Sequence, residues 1–491
     1  MHKFNVSFLV CLMLLVTVSF GQIAVKEEVI VFKNDVQNGF TDVAAADLDN
    51  DGDIDVISAS QDDDMIAWYE NIDGLGSFSE QKVITTLANY ANDVHVADIN
   101  GDGFLDVLSA SVQDHKIAWY ENNGDGSFGE QLVISTAVYF ASCVYAADLD
   151  GDGDMDVIAG SVSDGGLADV AWFENTDSLG TFGSKNVIST EVSGVRKVIT
   201  SDLDNDGDMD ILSASFADNK IAWYKNLDGL GTFSNQKIIT TSAEGAWSVF
   251  AADLDKDGDA DVLSTSWSVF LNDNRIVWYE NIDDDSTFSE QKIISTSFLQ
   301  PTYLYPADLD NDGDIDIVSG AHNDNLICFE NIDGSGDFST QHVISDSAKG
   351  VYSVYCSDID LDGYLDIIYT SSSSDGDKIA WFKNASSTSI DKYAIGKVPD
   401  KIHLMQNYPN PFNQATTIKY FLPRRMNVSV TIYDITGQKI IELMNCRQTE
   451  GFHEILWDGF HENNVQAVSG FYICEISTVD NIQTKKMLLL R

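Results

Sequence analysis

Short apolar runs broken by turn residues recur along most of the chain in one fixed order. An entry run such as VYAAD (144–148) leads into a loop of alternating aspartates, and a β-branched run such as DVISAS (55–60) follows. Next comes an aromatic run, IAWYEN (66–71) in its first copy, then a Gly- or Asp-rich turn and a run such as FSEQKVIT (78–85). Each run is four to eight residues long and rich in Val, Ile, Trp, Tyr and Phe, which predicts four short strands per unit. Helix signals are essentially absent.

The acidic loop fixes the period. Its copies are ADLDNDGDIDV (46–56), ADINGDGFLDV (97–107), ADLDGDGDMDV (147–157), SDLDNDGDMDI (201–211), ADLDKDGDADV (252–262), ADLDNDGDIDI (307–317) and SDIDLDGYLDI (357–367). Four-stranded units repeated seven times at about fifty residues predict an all-β fold, a seven-bladed β-propeller. The ends fit a closed ring. The seventh unit stops after IAWFKN (379–384), and an orphan run, KEEVIVF (26–32), stands ahead of the first unit. Pairing the two would remove the edges that an open array leaves exposed.

Counted from its first aspartate, each loop holds Asp at positions 1, 5 and 9, Asp or Asn at 3, and Gly at 6. Unit charges ~4 Å apart repel by about 1 kcal/mol even in water, so a cation is expected among them. Oxygen ligands at 1, 3 and 5, a backbone carbonyl at 7 and a Gly for the sharp turn are the recipe of a calcium loop. The twelfth residue is Ser58 or Ser109 where an EF-hand needs Glu, so the ninth carboxylate is expected to close the site. The candidate ligands are Asp47, Asp49, Asp51 and Asp55; Asp98, Asn100, Asp102 and Asp106; Asp148, Asp150, Asp152 and Asp156; Asp202, Asp204, Asp206 and Asp210; Asp253, Asp255, Asp257 and Asp261; Asp308, Asp310, Asp312 and Asp316; and Asp358, Asp360, Asp362 and Asp366. A solvated acidic turn would account for one copy but not for seven. Up to seven structural Ca²⁺ ions are expected, with magnesium disfavoured by its preference for retained waters.

The strand–DxDxDGxxD–strand unit resembles the FG-GAP/VCBS-type repeats of integrin α-subunit propellers and many secreted bacterial proteins, over residues 26–384. That resemblance implies stabilising metal loops on one face and ligands on the other. Residues 407–491, with NYPNPF (407–412), YDITGQKI (433–440), SGFY (469–472) and a basic-apolar end, resemble the type A C-terminal sorting domain of type IX secretion substrates. It implies passage through the outer membrane by the type IX machinery and a secreted or surface location.

Composition sharpens the boundaries. The chain has 491 residues and a net charge of −50. Nine Lys/Arg and eight Asp/Glu lie from Lys401 onward, leaving 19 and 70 before it, and four of six prolines sit at or just past that shift. The expected division is a signal peptide (1–21), the propeller (22–384), a linker (385–400) and a small β-sandwich (401–491). The apolar run near Val6–Phe20 is about 15 residues, short for a bilayer span, and no later segment is a candidate, so no membrane span is expected in the mature chain. Such acidity also excludes nucleic acid as a partner. The five cysteines outside the leader are too sparse for a disulfide framework, although Cys446 and Cys474 could pair.

Enzyme signatures are missing: HEILW (453–457) and HENNV (461–465) lack the second His of a zinc-protease helix. The recurrent Trp68, Trp119, Trp172, Trp223, Trp278 and Trp381 read as packing between blades. Function is sought instead where repeats differ, at the entry to each innermost strand: Thr41/Asp42, Asn92/Asp93, Ser142/Cys143, Arg196/Lys197, Trp247/Ser248, Thr302/Tyr303 and Tyr352/Ser353. Loops between second and third strands add Phe216, Trp267, Phe270 and His322. Arg196, Lys197, Phe216, Trp247, Trp267, Tyr303 and His322 form the candidate ligand face, suited to a glycan or protein. Ordinary loop variation is the alternative. The expectation is a non-catalytic adhesion or recognition module, with a calcium-dependent, lyase-like polysaccharide-degrading enzyme as runner-up.

Overall fold

The computed structural model describes residues 27–33, 39–163, 167–268, 273–282, 287–323, 325–345, 348–373 and 376–384, and, in the C-terminal part, 403–404, 415–422, 424–434, 438–448, 451–457, 459–461, 466–478 and 482–489. The expected signal peptide, the linker and Phe270 lie outside these residues.

Seven four-stranded antiparallel sheets form the ring. In the first blade the strands run Phe40–Ala46, Asp55–Ser60, Met65–Tyr69 and Lys82–Thr85, paired in that order. The seventh blade takes three strands, Val351–Ser357, Asp366–Ser373 and Gly376–Phe382, from its own repeat and the fourth, Glu27–Lys33, from the N-terminal side. Glu27 stands opposite Phe382 and Lys33 opposite Asp377. The ring also closes through side chains: the Gly39 N–H donates to Asp377 Oδ2 at 2.9 Å, and the Ser353 hydroxyl donates to Asp42 Oδ1 at 2.5 Å.

Burial explains the sequence pattern. The second strands, such as Asp55–Ser60 and Asp210–Ser215, are covered on both faces along their whole length, so they read as continuous β-branched and small residues. The outer strands alternate, leaving Val83, Val133 and Ile238 outward. Each of the six recurrent tryptophans packs between blades. Trp68 shares a core with Ile57 of its own blade and with Val94, Val107 and Tyr120 of the next. The next blade meets it with Gly126, at φ +73, where a Cβ would lie 2.7 Å from the indole.

A polar ladder joins the blades. The asparagine ending each aromatic run donates from Nδ2 to a backbone carbonyl in the preceding blade's acidic loop. Asn122 reaches Leu48, Asn226 reaches Leu149 and Asn281 reaches Leu203, each at 2.8 Å, and Asn71 reaches Ile359 across the closure at 2.9 Å. These donors are buried, and stranding their acceptors costs ~1–3 kcal/mol. Asn281→Ala is therefore expected to lower the free energy of unfolding in urea by about 1–3 kcal/mol; a change within the scatter of a surface substitution would show that the ladder carries no weight.

The C-terminal part consists of a three-stranded sheet (His403–Leu404, Thr416–Leu422, Gly451–Trp457) and a four-stranded sheet ordered Lys439–Gln448, Met426–Asp434, Gly470–Ser477, Ile482–Leu489. Ile418, Tyr420, Val430, Ile432, Trp457, Ile476 and Met487 from both sheets share one core, which is the arrangement of a sandwich. Cys446 is exposed and Cys474 buried, and both are free thiols.

Candidate functional site: acidic loops and a channel-mouth pocket

The acidic loops join the first and second strands of each blade, and each folds around its own carboxylates. Asp47 accepts the Asp51 N–H at Oδ1 (3.2 Å) and the Gly52 N–H at Oδ2 (3.0 Å), while Asp51 accepts from Asp53. Position 4 is left-handed in all seven, which suits Asn50, Gly101, Gly151, Asn205 and Asn311 and is imposed on Lys256 and Leu361. The ninth residue is buried. Asp55 accepts the Leu48 N–H at 3.0 Å on one oxygen and the Asn71 N–H at 2.8 Å on the other. The same asparagine thus pins the loop of its own blade and grips the loop of its neighbour.

Ligand oxygens of Asp47, Asp49 and Asp55 lie within 4.8 Å of one another, as do those of Asp148, Asp150 and Asp156 and of Asp253, Asp255 and Asp261; Asp202, Asp204 and Asp206, and Asp308, Asp310 and Asp312, cluster likewise. Oδ1 of Asp49, Asp150, Asp204, Asp253, Asp255 and Asp360 is buried without a hydrogen-bond partner. Orphaned hard oxygens in such clusters fit a divalent ion of the calcium type. Burial pushes the carboxyls of Asp55, Asp156, Asp210, Asp261 and Asp316 up to about 7 and that of Asp366 to about 8, against two backbone donors each and with the neighbouring aspartates adding to the rise.

The sign of the resulting pH dependence follows. In the metal-free fold these groups keep protons that the unfolded chain, with carboxyls near 3.8, has released. Their contribution to stability is present at low pH and is lost as pH rises through about 6 to 8. In chelator, the thermal midpoint is expected to be higher at pH 6 than at pH 8, whereas saturating calcium removes the trend. Scanning calorimetry at both pH values checks this, and a metal-free midpoint that falls on acidification over that window refutes it.

Loops four and seven differ from the rest. The Lys225 ammonium contacts Asp204 and lies 2.9 Å from Asp206, and Lys383 contacts Asp360 and lies 3.2 Å from Asp362. The two lysines titrate in opposite directions. Hydrogen bonds donated to both aspartates raise Lys225, while deeper burial lowers Lys383 despite Asp358.

At the other end of the innermost strands every blade carries a bulge. Register shifts at Thr41, Asn92, Ser142, Arg196, Trp247, Thr302 and Tyr352, one per blade. A bulge re-aims its side chain. At the mouth of the central channel these turns produce a pocket of ≈300 Å³ lined by Asp42, Asp93, Arg196, Lys197, Trp247 and Tyr303, with Tyr90, Asn92 and Tyr352 on its walls. Lys197 is buried and its ammonium lies 3.1 Å from Asp93 Oδ1. Asp93 and Asp42 also accept the Val144 and Val94 N–H groups, at 2.8 and 3.1 Å. Burial and the charge of Asp93 push Asp42 up to about 8, so one of the two carboxyls beside Lys197 resists ionisation.

The Arg196 guanidinium lies 4.4 Å over the Trp247 ring and 5.3 Å over Phe216, and Trp267 backs Trp247 at 5.6 Å. Deeper in the channel, Tyr145 packs on His95 (4.3 Å) and Tyr305 on Phe250 (5.5 Å) and Tyr355 (5.0 Å), forming an aromatic floor. Burial lowers His95 to about 4, so it is neutral.

Of the seven ligand-face candidates, the structure places Arg196, Lys197, Trp247 and Tyr303 around this pocket. Phe216 and Trp267 support Trp247 from behind, and His322 stands edge-on to Tyr352 at 5.4 Å. Asp42 and Asp93 were legible only as entry-pair members. Tyr90, held at φ +63 in the turn before its strand, gave no signal.

A family model described as an FG-GAP-like repeat matches residues 47–109, 98–159, 202–264, 268–319 and 308–369, spans that include the first aspartate of all seven loops. A second model, a secretion system C-terminal sorting domain, matches residues 406–490. No curated protein matches the chain. Solved structures similar to it include an Agrocybe aegerita lectin that recognises non-reducing terminal N-acetylglucosamine (19% identity, 64% of this chain and 81% of that one, TM-score 0.47). Two others are PorZ, a surface component of the type-IX secretion system of Porphyromonas gingivalis (12%, 92% and 81%, 0.37), and the V. cholerae biofilm matrix protein Bap1 (12%, 94% and 70%, 0.39). At these scores they add nothing to the architecture that the strand pairing gives directly. No helix among the described residues is long and apolar enough to cross a membrane. With seven blades around one channel and a type IX sorting domain that directs it to the cell surface or beyond, the chain belongs to the FG-GAP-like repeat proteins.

Proposed function

We propose that the protein is a non-catalytic recognition module at the cell surface, a calcium-stabilised propeller that takes the end of a glycan in its channel-mouth pocket. The carrying observation is the pocket itself, where the Trp247 and Tyr303 rings stand beside Arg196, Lys197, Asp42, Asp93 and Asn92. Apolar ring faces with a few convergent donors and acceptors suit a pyranose, whose C–H face stacks while its hydroxyls bond. The packed rings of Tyr145, His95, Tyr305, Phe250 and Tyr355 beneath the pocket favour a chain end over a threaded chain. With Asp42 held largely protonated, Arg196 and Lys197 against Asp93 leave the pocket weakly positive, while the −50 net charge of the chain repels a polyanion, so a neutral or weakly charged glycan is favoured.

The calcium ions would be held by the carboxylates at positions 1, 3, 5 and 9 with the carbonyl at 7, far from the pocket, as staples within blades. A lyase-like role draws less support. Lys197 is committed to its carboxylate partner, and burial drives the Tyr303 hydroxyl upward, away from a base poised near neutral pH.

A panel of polysaccharides tests the reading, scored for retention and for new chain ends. Retention without new ends is expected, and Trp247→Ala should weaken it about tenfold, equivalent to ~1.4 kcal/mol. New chain ends, or retention indifferent to Trp247, would overturn the reading.

A further inference from the structure

We infer that the acidic loops of blades four and seven bind no calcium, because a lysine of the same blade occupies the place of the ion; this rests on the calcium reading of the other five. The residue before the ladder asparagine is Glu70, Glu121, Glu174, Glu280 and Glu330 in blades one, two, three, five and six. It is Lys225 in blade four and Lys383 in blade seven.

That strand position faces the loop of its own blade whatever it holds. Glu121 Oε1 lies 3.5 Å from Asn100 Nδ2, and Glu280 is hydrogen-bonded to Asp255. With Glu there, the loop gains negative charge and its need for a cation grows. With Lys there, the cation is covalently built in. Lys225 bridges Asp204 and Asp206, and Lys383 bridges Asp360 and Asp362, which are positions 3 and 5 of the candidate ligand set in each case. The ammonium holds Oδ2 of each, and although Oδ1 of Asp204 and Asp360 is left without a partner, a divalent ion drawn there would sit beside the ammonium and be strongly repelled.

Both loops nevertheless keep the shared turn. Gly207 and Gly363 donate to Asp202 and Asp358 at 3.0 and 2.8 Å, as Gly52 does to Asp47 at 3.0 Å. An ammonium therefore suffices for the shape. The blade that closes the ring is one of the two so equipped, since Lys383 follows directly on the strand Gly376–Phe382 that receives Glu27–Lys33. Closure then does not depend on calcium, while five other blades do.

The test is equilibrium dialysis of the mature chain at saturating calcium, counting bound ions. Five are expected for the wild type, six for Lys225→Gln, six for Lys383→Gln and seven for the double variant. Asp202→Asn should leave the count at five, whereas Asp47→Asn lowers it to four. Any other non-zero wild-type count overturns the inference, as do lysine variants that fold, by circular dichroism, and gain no ion. If a lysine variant fails to fold, the wild-type count and the unchanged count of Asp202→Asn decide. A wild-type count of zero sinks the calcium reading itself, which separates the two failures.

Discussion

Chelation is expected to lower the thermal midpoint of the propeller by on the order of 10 °C. Extracellular calcium loops bind at ~10⁻⁴–10⁻³ M, so at millimolar calcium each contributes ~0.4–1.4 kcal/mol. Five such sites give about 2–7 kcal/mol, a large share of a typical folding free energy. Each kilocalorie moves the midpoint of a large domain by a few degrees. The six tryptophans packed between blades report the transition, since they are nearly fully buried and must redden on exposure. Equal melting curves with calcium and with chelator would mean that the loops are solvated turns, and the staple reading would be abandoned.

Removing the N-terminal strand should be more damaging still. A chain beginning at residue 39 loses the ladder between Glu27–Lys33 and Gly376–Phe382, together with the contacts of Glu27 with Lys378 and Tyr369. Six paired positions at ~0.5–1.5 kcal/mol per net hydrogen bond amount to several kilocalories. The freed edge strand is then a template for intermolecular pairing. The expected result is loss of the cooperative transition and aggregation by size-exclusion chromatography, relieved in part when a peptide spanning 27–33 is supplied in trans. A truncated chain that stays monomeric and melts at the same temperature would show that the ring closes without its borrowed strand.

The architecture was largely legible in the sequence because it repeats. One blade could be mistaken for a hairpin, but seven spaced acidic loops, a short seventh repeat and a spare strand at the front leave a closed ring as the economical arrangement. The entry residues of the innermost strands were legible for the same reason, since aligned repeats reveal which position varies. What stayed hidden depended on distance across the ring. The asparagine of IAWYEN is plain in every repeat, yet its partner carbonyl is about 75 residues earlier, as Asn122 and Leu48 show. Period-2 alternation does not tell which side chains face the channel and which the neighbouring blade, so His95, Tyr145, Phe250, Tyr305 and Tyr355 looked like ordinary strand residues. Nor does it mark the bulges that turn Arg196 and Trp247 toward the pocket. Lys225 and Lys383 were visible as departures from Glu, but only the geometry gives the departure a meaning.

Because the seventh blade is sewn from both ends of the propeller, it is also where a mechanical load would enter. A pull transmitted along the chain from residue 384 arrives in the strand Gly376–Phe382, which lies between Asp366–Ser373 on one side and Glu27–Lys33 on the other. Tension must draw that strand lengthwise from between two hydrogen-bonded neighbours at once. A strand at a free edge would instead be peeled, one bond at a time. The borrowed strand thus turns the attachment point from a zipper into a clamp.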